Sequence, residues 1–333
     1  MKKTLIASAV AAATISSTAF AADSMANMPT FYGNIQLAYV HTSAETGSTE
    51  TTTNEFIDNG STLGVKHEHE IAPGLTGFLK AEWDFDADDK SAGGGNGFDL
   101  DEAYIGVKGD FGSAQIGSDD TVYEWWDVID ISEAVGISGE MASYNHTTGA
   151  FGGVAEGDNF QYVSPVIAGG LTVGVTIPVV NSDKSHAAAL AAKFKTDMFE
   201  AIFGYAMGRE EDGVDTGDSI GLGGRVFLGD LTLGLQYETR SADSVGGADV
   251  KASEADGYGL IAIYAMGASQ FAAGYQAYEN DADAEADKFY LQALHNISDN
   301  MYAYVEYTNG SVETKGSADT DTEEFAIGAT YTF

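Results

Sequence analysis

Four carboxylates alternate with alanine at Asp281, Asp283, Glu285 and Asp287, a spacing of hard oxygen donors that invites Ca²⁺. An EF-hand needs glycine at its sixth position and glutamate at its twelfth, where Ala286 and Gln292 stand, so at most a loose divalent-cation site is expected. His67-Glu68-His69 sets two imidazoles on one face of an extended strand, as a metal could use, but beside a turn they read as an interfacial pair. Gly93 to Gly97 lacks the Lys-Ser/Thr that completes a phosphate loop. There is no Gly-x-Ser-x-Gly elbow and no cysteine. No metal, no cofactor and no enzymatic activity are expected.

What remains is charge and pattern. Met1-Lys2-Lys3, an apolar run from Leu5 to Ala13 and the small-x-small Ala19-Phe20-Ala21 read as a signal peptide over 1–21, leaving one domain over 22–333. Without Lys2 and Lys3, 13 basic residues face 51 acidic ones, a balance of −38. Nucleic acid is excluded as a natural partner. Disorder is not implied, because 44% hydrophobic content with 17 Tyr, 17 Phe and only 4 Pro can line a large β structure. No stretch approaches the roughly 20 apolar residues of a transmembrane helix, so a membrane span must be built from strands.

The chain alternates with a period of two. Phe31, Gly33, Ile35, Leu37 and Tyr39 oppose Tyr32, Asn34 and Gln36; Leu63, Val65, His67, His69 and Ile71 oppose Thr62, Gly64, Lys66, Glu68 and Glu70. Leu75, Leu79, Ala81 and Trp83 then oppose Thr76, Lys80, Glu82 and Asp84. Lipid supplies no hydrogen-bond partners, so a spanning sheet must close, with its apolar face outward and its wet face inward. A lipid-facing Lys or Arg at midplane costs roughly 2–4 kcal/mol. Lys66, Lys80, Lys193, Arg225 and Lys288 all fall on the inner face, as do Glu68, Glu82 and Glu238. Aromatic residues such as Phe31, Tyr39, Trp83, Phe289, Tyr307 and Phe325 gather toward strand ends, like an interfacial girdle.

Short turns fall near Ala72-Gly74, Asp110-Gly112, Pro165-Gly170, Thr196-Asp197, Gly229-Asp230, Met266-Gly267 and Ser298-Asn300. Around them lie eight longer polar spans: 42–60, 86–99, 119–158, 180–186, 208–218, 239–256, 279–287 and 310–324. Seven turns and eight loops require sixteen strands, an all-β, antiparallel transmembrane barrel wide enough for an aqueous channel. The stretch His186 to Phe194 is rich in alanine and compatible with either strand or helix.

Several blocks resemble the trimeric general-diffusion porins of Gram-negative outer membranes. They are Phe31-Tyr-Gly-Asn34, Leu63-Gly-Val-Lys66, Ala103-Tyr-Ile-Gly-Val-Lys-Gly-Asp-Phe-Gly112, Tyr162-Val-Ser-Pro165, Gly170-Leu-Thr-Val-Gly174 and Phe333. The resemblance spans essentially the whole mature chain. It implies an outer-membrane location, a homotrimer formed through the first and last strands, contact with outer-membrane lipid and lipopolysaccharide, and a third external loop folded into the lumen. It also implies that the terminal strand with Tyr331 and Phe333 is read by the outer-membrane assembly machinery.

By that resemblance 119–158 is the constriction loop, with Asp127, Asp130, Glu133 and Glu140 among its acids and no Lys or Arg. Relatives carry arginine at three wall positions where this chain has Thr62, Asp101 and Gln161. Alternation alone places Asp101 outward with Ala103, Ile105 and Val107, whereas the family pattern places it inward. The eight long spans hold 37 acidic residues against six basic ones. An acidic mouth concentrates cations, so passive, cation-preferring diffusion of small hydrophilic solutes is expected; exposed acids also serve hydration in salty water. A substrate-specific channel with Tyr302 and Tyr304 on a sugar or peptide path is one alternative. A secreted acidic Ca²⁺-binding adhesion protein, or an outer-membrane hydrolase, is another.

Overall fold

The computed structural model describes residues 28–88, 98–136, 156–179, 188–208, 210–211, 214–215, 218–241 and 254–333. The expected signal peptide and Glu140 lie outside them. The strands in chain order are β1 (Thr30–Thr46), β2 (Thr49–Asp58), β3 (Thr62–Ala72), β4 (Leu75–Asp84), β5 (Asp99–Gly109), β6 (Gly112–Asp120) and β7 (Glu156–Val163). They continue as β8 (Leu171–Pro178), β9 (Ala188–Lys195), β10 (Phe199–Met207), β11 (Glu210–Glu211), β12 (Val214–Asp215) and β13 (Asp218–Leu228). The last six are β14 (Leu231–Ser241), β15 (Ala255–Met266), β16 (Ser269–Asn280), β17 (Ala284–Ser298), β18 (Met301–Thr314) and β19 (Thr320–Thr332).

Seventeen of these form one antiparallel sheet, and β11 pairs only with β12. β1 closes the sheet against β19, from Asn34↔Thr332 to Thr46↔Thr320, and Gly33 and Phe333 exchange backbone hydrogen bonds of 3.1 and 3.0 Å. On its other edge β1 pairs first with β3 and then with β2, which share one place in the wall. The break between them is satisfied locally: the Asn34 amide donates to Thr62 Oγ1 at 3.0 Å, and Asp58 accepts from the N–H groups of Gly60 and Ser61. The result is a closed barrel of sixteen strands.

Burial is inverted relative to a water-soluble fold. Leu235 is 66% exposed while its neighbour Gln236 is 8%, and Glu238, Glu306 and Thr308 are buried while Leu260, Phe271 and Leu291 face outward. Apolar side chains on the outside and polar ones inside are stable only where the outside is lipid. At the rims, outward tyrosines turn their hydroxyls toward polar partners: Tyr162 donates to the Phe111 carbonyl, Tyr237 to Asp256 and Tyr307 to Glu323.

All seven short turns lie where the spacing predicts them. Three of the expected loops differ: 42–60, 279–287 and 310–324 are hairpins in which β1–β2, β16–β17 and β18–β19 stay paired up to Thr46, Asn280 and Thr320. Past the membrane both faces are wet, so apolar alternation stops while the threonine-rich chain still prefers strand. The alanine-rich stretch over Ala188–Lys195 is strand as well.

Candidate pore constriction

After β6 the chain turns into the lumen. Thr121 caps a 3-10 turn over Val122–Trp126 by accepting the Tyr123 N–H at 3.3 Å. Val122, Tyr123, Trp126, Val128, Ile129 and Ile131 then bury their side chains against Ala189, Ala191, Ile202, Ile261 and Tyr290 of the inner wall. The wall makes room with glycine: a Cβ at Gly221 or Gly223 would strike Trp126, and one at Gly259 would strike Ile129. An apolar stripe therefore seats the loop, and the alanines of β9 are part of its floor.

Polar groups fix its height and register. Val122 N–H donates to Thr176 Oγ1 at 3.1 Å, and Gln236 Oε1 accepts from Val128 and Ile129 at 3.0 and 3.1 Å. Arg225 donates through Nε and Nη2 to the Val128 carbonyl at 3.0 and 2.8 Å, and the Gln292 amide donates to the Ile131 carbonyl at 3.0 Å. Glu306 accepts from the N–H groups of Glu133, Ala134 and Val135 at 2.7, 2.8 and 3.0 Å and also from the Tyr290 hydroxyl. Tyr123 donates to Glu238, and Tyr302 to Glu133 at 2.8 Å. Arg225 and Glu238, expected as lumen wall, are thus loop anchors. Thr176, Gln236, Gln292 and Glu306 were not predicted; their signal is a polar residue at an inward position of its strand.

On the loop itself Asp127 caps the backbone of Ile129 and Asp130, and Asp130 accepts from Ser132. These two are turn formers as well as charges. Burial pushes the Glu133 carboxyl up to about 7; the Tyr302 hydroxyl opposes the rise, and Glu306 and Asp130 add to it.

Three of the expected site residues, Lys80, Glu82 and Asp101, meet on the wall of β4 and β5. Lys80 Nζ lies 2.5 Å from Glu102 and 3.7 Å from Glu82. Carboxylate oxygens of Glu82, Asp101 and Glu102 lie within 4.8 Å of one another. Asp101 reaches them through a bulge, because Glu82 pairs with Glu102 and Trp83 with Leu100, so Asp101 is skipped in the register. Plain alternation, which placed Asp101 outward, fails at that one residue. Gln161 donates to Asp119 at 3.2 Å and accepts from Thr176, so it positions an acid beside the cluster. Thr62 pairs with Asn34 instead of the acids. Lys66 lies over the Tyr32 ring at 5.0 Å, Glu68 pairs with Lys108 at 2.6 Å, and Lys193 lies over Trp125 at 4.8 Å.

Other candidates are placed elsewhere. Tyr304 is 2% exposed, and the half-buried Tyr302 donates its hydroxyl to Glu133. His67 and His69 stack at 5.4 Å on the outer face. Asp283 of the β16–β17 turn pairs with Lys315 of the β18–β19 turn.

The profile of the Gram-negative porin family matches residues 7–315. The chain belongs to this family. The porin is 33% identical over 364 residues to a monosaccharide porin of a Halomonas species and to the major outer membrane protein of Halomonas elongata, covering 99% of this chain and 91% of each relative. Its place is the outer membrane. Among solved structures the porin fold is similar to the anion-selective porin of Comamonas acidovorans, with a TM-score of 0.76, 18% identity and 92% and 100% of the two chains covered. It is also similar to the trimer form of OmpT of Vibrio cholerae, with a TM-score of 0.71, 17% identity and coverage of 92% and 99%. Both structures share the fold with this porin.

Proposed function

We propose that this porin passes small hydrophilic solutes and ions by passive diffusion and prefers cations. The observation that carries the reading is the trio Glu82, Asp101 and Glu102, with Lys80 paired to two of them, on the inner wall of β4 and β5. Two unit charges 4 Å apart interact by about 1 kcal/mol even in bulk water, which is about fivefold in local ion concentration per uncompensated charge. Charges at the mouth are screened within about 3 Å at 1 M salt, whereas an ion crossing the constriction passes within contact distance. Planar bilayers separating two KCl concentrations give a reversal potential of the cationic sign if the reading holds, and an anionic sign overturns it.

The name of the Halomonas relative favours passage of neutral monosaccharides as well. Loss of sugar-filled swelling in proteoliposomes would count against it. The trimer form of the OmpT fold supports self-association into a homotrimer, to be read as the mass of the unheated protein in detergent. The outer apolar face meets membrane lipid and, in the external leaflet, lipopolysaccharide; Tyr331 and Phe333 form the strand end read during assembly.

A further inference from the structure

Lys193, Lys195 and Arg225 gather on one stretch of inner wall in a chain with 51 acidic and 15 basic residues. Lys195 of β9 stands across from Glu200 of β10, and Glu200 across from Arg225 of β13. The ion pairs follow that row, with Lys195 Nζ 3.1 Å and Arg225 Nη1 3.6 Å from Glu200. Lys193 sits on the same face one step above, its ammonium 4.8 Å from the centre of the Trp125 ring. Among the described residues Glu200 is the carboxylate paired with this group, which leaves it two charges positive.

The two lysines differ from the arginine in what they have left to offer. Arg225 is held by the Val128 carbonyl and Glu200, and Glu200 is almost fully buried, whereas the Lys195 side chain is 60% exposed. Lys193 has the indole on one side, and an ammonium over a ring keeps donors for a second partner. Rings of Lys and Arg are how pores recognise anions and phosphate, and an ammonium binds either as a point charge. The group lies close to the periplasmic turns after Lys195 and Leu228, while Glu82, Asp101 and Glu102 lie toward the external ends of β4 and β5.

We propose that Lys193 and Lys195, set in place by Glu200 and Arg225, form an oxyanion station near the periplasmic end of the pore, which holds the carboxylate or phosphate group of small solutes. The pore then carries stations of opposite sign in series.

The test uses the intact porin in planar bilayers at fixed ionic strength, with potassium phosphate or potassium acetate replacing KCl on each side in turn. Phosphate, acetate or both reduce the single-pore current, and K195Q and K193Q each weaken that block roughly threefold to tenfold, the range of a solvent-screened charge-assisted contact. K315Q, which removes the same charge from an external turn, leaves the block unchanged. Block by acetate identifies carboxylate solutes, and block by phosphate alone identifies phosphorylated ones. K195Q is decisive because, among the described residues, Lys195 contacts Glu200 and Phe227 of the wall and not the loop. Equal block in all variants, no block by either anion, or weakening confined to K193Q together with a larger open current would overturn the proposal. Cation preference is read separately, from the KCl reversal potential.

Discussion

Asp101 and Glu102 are consecutive in the chain, yet their carboxylates converge on one point of the inner wall, beside Glu82. Adjacent residues of a regular strand face opposite ways. The bulge that skips Asp101 between the Glu82↔Glu102 and Trp83↔Leu100 pairs is what turns both inward, and the extra residue it inserts adds one carboxylate to the inner wall.

The seat of the loop depends on missing side chains. Gly221→Val places branched carbons where the Trp126 indole lies. Overpacking of this kind costs about 1–3 kcal/mol. The loop cannot stay seated, so single-pore conductance rises relative to the native porin, while the barrel still inserts.

Glu306 holds three backbone N–H groups of the loop tip with one carboxylate. Glu306→Leu leaves these buried donors without their acceptor, at about 1–3 kcal/mol each; Glu306→Gln keeps one acceptor oxygen and costs less. Noise and amplitude of the open current increase in the order native, Gln, Leu.

The Glu133 carboxyl titrates at about 7 in the folded porin against an ordinary 4.5. The folded state therefore binds more protons than the unfolded one, and the stability this group contributes is complete below about 4.5 and lost as pH rises through 7. Resistance of the folded porin to detergent unfolding falls between pH 5 and 8 on this account. Glu133→Gln flattens that part of the profile.

Phe333 and Gly33 exchange both backbone hydrogen bonds at the seam, and the ring of Phe333 covers the space above Gly33. Removal of Phe333 lowers the yield of inserted barrel in outer-membrane fractions. The conductance of the pores that do insert stays native.

The barrel was legible because lipid enforces alternation: the inner placement of Lys66, Lys80, Lys193 and Arg225 follows from parity alone. The seven turns announce themselves through Gly, Pro, Asp and Asn. Asp101 was legible from the family pattern, which places it inward, but not from alternation, since a bulge is a mismatch between two strands and neither strand shows it by itself. The hairpin over Thr46 to Thr49 was hidden for another reason, that polarity marks the exit from lipid and not the end of a strand. Arg225 and Glu238 showed their face in the sequence but not their partners, because contacts to Val128 and Tyr123 span about a hundred residues. The glycines at 221, 223 and 259 read as strand residues until the loop that fills their space is in place.

The most direct measurement is the KCl reversal potential of the native porin beside D101N and the D101N/E102Q pair. The native pore favours K⁺, and the preference shrinks stepwise in the two variants, each removed charge being worth at most about fivefold in local ion concentration. A native preference for Cl⁻, or a K⁺ preference that both variants leave untouched, would contradict the assignment of this cluster as the selectivity site.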